Sequence, residues 1–147
     1  MIQTPIFHLA IPIADVAVAK KFYARGLGCI VGRENKTAVI FNFFGTQLVG
    51  HLSKEPLVEQ SGIYPRHLGL ILPTKKEWQK ICDRATSLDL TFYEPPKLRF
   101  QDRSLEHYTF FLEDPFFNLL EFKYYCNSHV IFGGRETKLI GDTAHPQ

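Results

Sequence analysis

The sequence predicts an α+β fold made of two copies of one module, each running strand, helix, strand, strand, strand. Three observations predict it. Phe7-His8-Leu9-Ala10-Ile11-Pro12 and Arg66-His67-Leu68-Gly69-Leu70-Ile71-Leu72-Pro73 are short apolar stretches of the same design, with a histidine near the start, a small residue two places on and a proline near the end. Each is followed by an amphipathic stretch with a good N-cap, and each then by three further strand signals. Placing His8 on His67 pairs Leu9 with Leu68, Ala10 with Gly69 and Phe22 with Ile81 without a gap, an offset of 59 residues. That is too long for a solenoid unit and suits two half-domains around one shared centre.

The elements follow in order. In the first strand Phe7, Leu9 and Ile11 fall on one face and Ile6, His8 and Ala10 on the other. Asp15 caps a helix through about Leu27 whose apolar stripe is Val16, Ala19, Phe22 and Tyr23, with Gly28 ending it. Strands are expected at Cys29-Ile30-Val31, from Thr37 to Phe44, and from Thr46 to Leu52 after a turn at Gly45. Residues 53–65 read as a linker rich in turn formers. In the second copy Leu68, Leu70 and Leu72 share one face, and His67, Gly69 and Ile71 the other. Thr74 with Glu77 forms a capping box for a helix from Lys75 to about Leu88 that buries Trp78, Ile81, Cys82 and Ala85. Strands are expected from Leu90 to Tyr93, Tyr108 to Leu112 and Leu119 to Tyr125, with a turn at Asp114-Pro115. The reading is one domain over 1–126, with modules at about 5–52 and 66–125, and a loosely held tail at 127–147 in which Val130-Ile131-Phe132 could add an edge strand.

Composition narrows the function. A formal charge of +2, with basic residues scattered, argues against a nucleic-acid partner. No window approaches the ~20 apolar residues that cross a bilayer. The first residues lack a basic leader, so neither membrane nor export is expected. Three widely spaced cysteines, Cys29, Cys82 and Cys126, suit buried thiols in a reducing cytoplasm rather than disulfides or a zinc ribbon. The 13 Phe and 6 Tyr, gathered in the strands, suit a β-rich core or an aromatic-lined pocket.

One constellation carries chemistry. Strand phase puts His8 and His67 on the face opposite their own helices, each beside a small residue that leaves room for a ligand. The same phase puts Leu119, Glu121 and Lys123 on that face of the last strand. Two imidazoles and a carboxylate form a facial set for Fe(II), Mn(II), Zn(II) or Ni(II) that leaves positions open for substrate. Gln47 or His51, in the last strand of the first module, could add a fourth ligand. His107, His129 and His145 lack such a context. There is no nucleophile elbow and no phosphate-binding glycine loop.

These residues resemble the vicinal oxygen chelate superfamily of glyoxalases, bleomycin and fosfomycin resistance proteins and extradiol dioxygenases. The resemblance runs from about Phe7 to Tyr125. It is carried by Phe7 to Pro12, Phe22-Tyr23 with Leu27-Gly28, His67-Leu68-Gly69, and Asp114-Pro115 through Asn118 to Leu120-Glu121-Phe122. Gly28-Cys29, Gly32-Arg33, Phe41 to Gly45, Gln47-Leu48-Val49 with His51, Arg99-Phe100 and Glu121-Phe122-Lys123 are similar to a subgroup described as extradiol-type dioxygenases. The resemblance implies paired βαβββ modules in an open, curled mixed sheet around a central cleft, metal ligands at His8, His67 and Glu121, a fourth position near Gln47 to His51, and a homodimer. It implies an Fe(II) dioxygenase acting on a small aromatic or vicinal-oxygen substrate. The alternatives are a glyoxalase-type lyase or isomerase using Ni(II) or Zn(II), which would favour a fourth protein ligand, and a metal-free binding protein of the resistance type. His107 and Tyr108 are candidates for proton transfer, and Arg33, Arg99 and Arg103 for a carboxylate clamp. The chain departs from the family turn Asp-Pro-x-Gly-Asn by carrying Phe117 in place of its glycine.

Overall fold

In the computed structural model, which describes residues 1–141, strand β1 (His8–Ile13) lies parallel to β4 (Thr46–Leu52), and β3 (Ala38–Phe43) and β2 (Ile30–Glu34) extend the sheet antiparallel in the order β1-β4-β3-β2. The second sheet repeats this with β5 (Leu68–Ile71), β8 (Leu119–Tyr125), β7 (His107–Glu113) and β6 (Phe92–Arg99), in the order β5-β8-β7-β6. The expected α+β architecture of two βαβββ modules is therefore the one observed. His145 lies outside the described residues.

Each first strand feeds a helix. Asp15 Oδ1 accepts from Val18 N at 2.9 Å and starts α1 (Val16–Lys20). The predicted single α-helix changes character here: Lys21–Gly26 is a π-helical turn, with Leu27 N donating to Phe22 O. The widened turn coincides with burial of the adjacent Phe22 and Tyr23 on one side. Gly28 leaves the helix at φ +80°, a conformation glycine adopts without strain. In the second module Thr74 caps α2 (Lys75–Ser87), accepting from Glu77 N and donating to Glu77 Oε2. Trp78, Ile81, Cys82 and Ala85 are buried on its inner face.

The two helix-bearing faces meet in one core. Phe43 of the first sheet reaches Phe122 of the second, ring centroids 6.3 Å apart, and Phe122 stacks on Phe110. Polar ties cross the same seam. Tyr23 donates to Asp114 Oδ2 at 2.6 Å, Asn118 Nδ2 donates to Pro12 O, and Arg84 donates to the carbonyls of Gly26 and Arg25. The opposite sheet faces, which carry His8 in one module and Glu121 in the other, point away from this core.

Three local readings change. Strand β6 runs to Arg99 rather than ending at Tyr93, and so contains Pro95-Pro96. It is an edge strand with two register shifts, where missing N–H groups cost no ladder bond. The segment Val130-Ile131-Phe132 adds no strand: a short 3₁₀ turn, Ser128–Val130, forms where Asn127 accepts from His129 N. Cys29 and Cys82 are buried as expected, but Cys126 is exposed, one residue beyond β8. Burial pushes the Cys29 thiol up to about 12, against the pull of Arg84.

Candidate metal centre

Glu121 sits in β8 directly across from Gly69 of β5. The two strands approach so closely that a Cβ at position 69 would collide with the Glu121 carbonyl, which explains the glycine. The carboxylate is buried and engaged on both oxygens. Oε1 lies 3.2 Å from His67 Nε2, and Oε2 accepts from Thr109 Oγ1 at 2.6 Å. Arg99 Nη1 is 3.6 Å from Oε2 and Lys123 Nζ is 3.7 Å from Oε1. Burial alone would raise this carboxyl's pKa, but the His67 bond, Lys123, Thr109 and Arg99 together outweigh it and hold it below the usual range. The same contact with Glu121 holds the His67 imidazole above its usual pKa, against partial burial.

The ring of His67 is oriented from behind. Its Nδ1 lies 2.7 Å from the carbonyl oxygen of Ile63, an atom that only accepts, so Nδ1 carries the hydrogen; Nε2 donates to Glu121 when the ring is protonated and offers its lone pair to a metal when the ring is neutral. His8 is held the same way, with Nδ1 2.8 Å from Gln47 Oε1 across the β1–β4 register. Gln47 therefore positions His8 instead of standing free as a ligand. His51 lies four residues further along β4, exposed at its end.

His8 does not join His67 and Glu121 within one chain. Among the described residues no three His, Cys, Asp or Glu side chains converge to hold a metal. Strand alternation explains it. Phe7 and Leu9 line a cavity of about 310 Å³ with His67 and Gly69, and His8 lies on the other face of the same strand. His8 instead shares an exposed, largely apolar sheet face with Ile6, Ile30, Ile40 and Gln47.

The remaining candidates separate. His107 is 2% exposed, on the face of β7 that also carries Thr109. Its Nδ1 donates to Leu105 O, and its Nε2 has no hydrogen-bond partner among the described residues. Burial lowers its pKa. Tyr108 points the other way, onto Trp78 with centroids 5.4 Å apart, its hydroxyl accepting from Lys75. Alternation along β7 makes the two neighbours face opposite sides. Arg99 is buried between Glu94 and Glu121, whereas Arg33 and Arg103 are exposed, one on edge strand β2 and the other in the loop before β7. The sequence alone does not mark Thr109, Glu94 or Lys123 as site residues, although Thr109 is in phase with His107 on a strand adjacent to β8.

The sequence matches the model of the glyoxalase/bleomycin resistance protein/dioxygenase superfamily over residues 6–122. The chain belongs to this superfamily. Among solved structures it is similar to a glyoxalase/bleomycin resistance protein/dioxygenase from Alicyclobacillus acidocaldarius, at 40% identity and a TM-score of 0.82, covering 86% of this chain and 96% of that one. A fosfomycin resistance protein from Listeria monocytogenes (14% identity, TM-score 0.65, covering 84% and 94%) and a lactoylglutathione lyase from Agrobacterium tumefaciens (19%, 0.62, covering 82% and 93%) share the fold. No curated protein matches the sequence. The superfamily contains many enzymes, and its members typically bind divalent metals and small molecules and are commonly dimeric. Among the described residues, no helix is long and apolar enough to cross a membrane.

The donors fit such an ion. Two ligands about 2.1 Å from one tetrahedral or octahedral metal lie roughly 3.0–3.4 Å apart, and His67 Nε2 is 3.2 Å from Glu121 Oε1. Both histidines present Nε2 with Nδ1 anchored on an oxygen, the arrangement metal-binding imidazoles use.

Proposed function

We propose that this chain is a metal-dependent enzyme, an extradiol-like dioxygenase of small aromatic or vicinal-oxygen substrates. In this reading His67 and Glu121 of one copy and His8 of a second hold Fe(II) in a homodimer. The observation that carries it is the preset pair His67 Nε2 and Glu121 Oε1, 3.2 Å apart, oriented by Ile63 and Thr109. A second observation supports the three-ligand form. By strand register Glu121 faces Gly69, and the equivalent residue facing Ala10 is Val49, which cannot ligate. A glyoxalase-type lyase would favour a fourth ligand, and Gln47 is engaged with His8. The uncovered apolar face around His8 is the surface a second copy would cover, and a reducing cytoplasm suits three free thiols and Fe(II) alike.

Bound there, the ion would supply Lewis acidity toward two adjacent substrate oxygens and leave positions open beside them. The chain's own residues do the rest. Thr109 and Arg99 fix the Glu121 carboxylate, and Ile63 holds His67 with Nε2 forward. His107, neutral at pH 7 because burial lowers its pKa, can accept a substrate proton at its unpartnered Nε2.

The test is metal analysis of untagged protein, then oxygen uptake with a panel of catechols. Stoichiometric iron and uptake are expected. Absence of metal, with ligand binding untouched by His8→Ala, would overturn the reading. Complementation tests the dimer: mixing His8→Ala with Glu121→Ala subunits regenerates one intact site per heterodimer, about a quarter of wild-type activity at random assortment. No recovery would place the site within one chain.

A further inference from the structure

The face of the second sheet that carries Glu121 is ordered in rows across its strands. Glu94, Phe111 and Glu121 form one row, Lys97, Thr109 and Lys123 the next, and Arg99, His107 and Tyr125 the third. The acidic row lies nearest Gly69 and His67, and the basic rows follow it. Lys97 and Arg99 both lean on Glu94, at 3.3 and 3.5 Å, and Arg99 also reaches Glu121 Oε2. Lys123 is placed differently. Its Nζ donates to Tyr125 OH at 3.1 Å, and among the described residues its carboxylate contact is Glu121 Oε1 at 3.7 Å, the oxygen that also faces His67.

That shared oxygen has a consequence. With Glu121 Oε1 committed to a divalent ion, Lys123 faces a like charge where its counter-charge had been. Its side chain is only 20% exposed, so water compensates it poorly. The phenol of Tyr125 keeps the ammonium in place without neutralising it. An anion arriving beside the chelated oxygens restores the balance, and an ammonium keeps donors to spare for it. The ring of Tyr125, its centroid 5.3 Å from Lys123 Nζ, lies beside the ammonium.

We propose that Lys123, steadied by Tyr125, is the specificity-determining residue of this site and selects substrates that carry a carboxylate beside the chelating pair of oxygens. The inference rests on the metal-site reading and narrows its substrate class to acids.

Calorimetric titration of iron-loaded protein under anaerobic conditions tests it, comparing catechol with 2,3- and 3,4-dihydroxybenzoate. One of the acids should bind about tenfold or more tighter than catechol. Lys123→Met should abolish that preference, read as the ratio of acid to catechol affinity, and Lys123→Arg should retain most of it. The proposal is overturned if neither acid outbinds catechol in the wild type, or if Lys123→Met weakens all three alike. Iron content measured on the same samples separates the two levels. Iron-loaded protein without acid preference sinks this inference alone, and protein that takes up no iron sinks the metal reading beneath it.

Discussion

The two modules share a topology and a histidine at the same place, yet the surroundings of the two histidines differ. In module two the position across from the small residue is Glu121, buried and gripped by Thr109, His67, Arg99 and Lys123. In module one it is Val49, and His8 lies exposed with Gln47 as its side-chain partner among the described residues. In the proposed reading this difference divides labour between the repeats: one half offers a preorganised carboxylate and imidazole, and the other an imidazole on an open apolar face that a second copy would cover.

The largest effect should come from erasing the carboxylate that distinguishes the halves. Glu121→Ala should abolish metal retention in elemental analysis and lower activity by about a thousandfold or more, since it removes an anionic ligand and takes away the carboxylate that Lys123 faces, while Arg99 keeps Glu94. His8→Ala should match it in activity, because the ion is short of one donor, but should leave thermal stability nearly unchanged, because His8 is exposed. Equal losses of stability in the two variants would break the proposed asymmetry.

Next comes the small residue itself. Gly69→Ala drives a Cβ into the Glu121 backbone and should destabilise by about 3 kcal/mol in urea unfolding, displacing the carboxylate with it. The matching change in module one, Ala10→Gly, removes a Cβ that is tolerated there and should cost only about 0.5–1 kcal/mol. Thr109→Val tests orientation without touching a ligand. Losing the hydroxyl on Glu121 Oε2 should weaken metal affinity roughly 10–100-fold by competition with a chelator. An unchanged affinity would mean that the carboxylate is oriented by Arg99 and the strand alone.

How much of this asymmetry could be read from the sequence depends on the range of the interactions involved. Alternation along β1, β5 and β8 places His8, His67 and Glu121 on the correct faces, because it is a local property of the strand. The caps Asp15 and Thr74 are local too. Which sheet faces meet is not local. It is decided by Tyr23, Phe43, Phe122 and Asn118 packing across modules, and that seam turns His8 away from His67. Register was equally hidden. Only the pairing of Gly69 with Glu121 and of Ala10 with Val49 shows that Gln47 lies one pleat away from the position equivalent to Glu121. Pro95-Pro96 masked β6 because proline argues against a central strand, and nothing in the local sequence marks that strand as an edge.

Acid titration sharpens the contrast within module two. In metal-free protein His67 has its pKa raised by Glu121, whereas His107 has its own lowered by burial. For His107 the folded form binds a proton less readily than the unfolded one. Its neutral burial therefore contributes stability that is complete above the unfolded value near 6.5 and is lost as pH falls toward the folded value. The slope is at most about 1.4 kcal/mol per pH unit. His67 has the opposite sign: its contribution is complete below about 6.5 and fades as pH rises through its raised folded value. Melting curves from pH 5 to 8 should show His107→Leu flattening the acid side and His67→Leu the alkaline side. A common effect on one side would contradict the assignment.

The smallest effect concerns the turn that delivers β8. Phe117 stands where the family turn has glycine, and it adopts φ +68°, a left-handed conformation that costs a non-glycine residue about 1–2 kcal/mol. The strain is held by a turn already closed without the phenyl ring. Asp114 Oδ1 accepts from the amides of Phe116 and Asn118, Asn118 Nδ2 returns to Asp114 Oδ2, and Gln60 donates to the Phe117 carbonyl. All of these bonds survive a change of side chain at 117. Burial raises the Asp114 pKa but its donors oppose the shift, so the carboxylate stays the hub on which Tyr23 also rests. Phe117→Gly should therefore stabilise the protein by about 1 kcal/mol, less whatever the added freedom of the unfolded chain takes back. It should leave metal affinity unchanged, because Glu121 is set by Gly69 and Thr109 and not by the turn. A loss of stability would mean that the Phe117 ring contributes packing that outweighs its strain. A loss of metal affinity would mean that the turn, and with it the seam between the modules, helps to position Glu121.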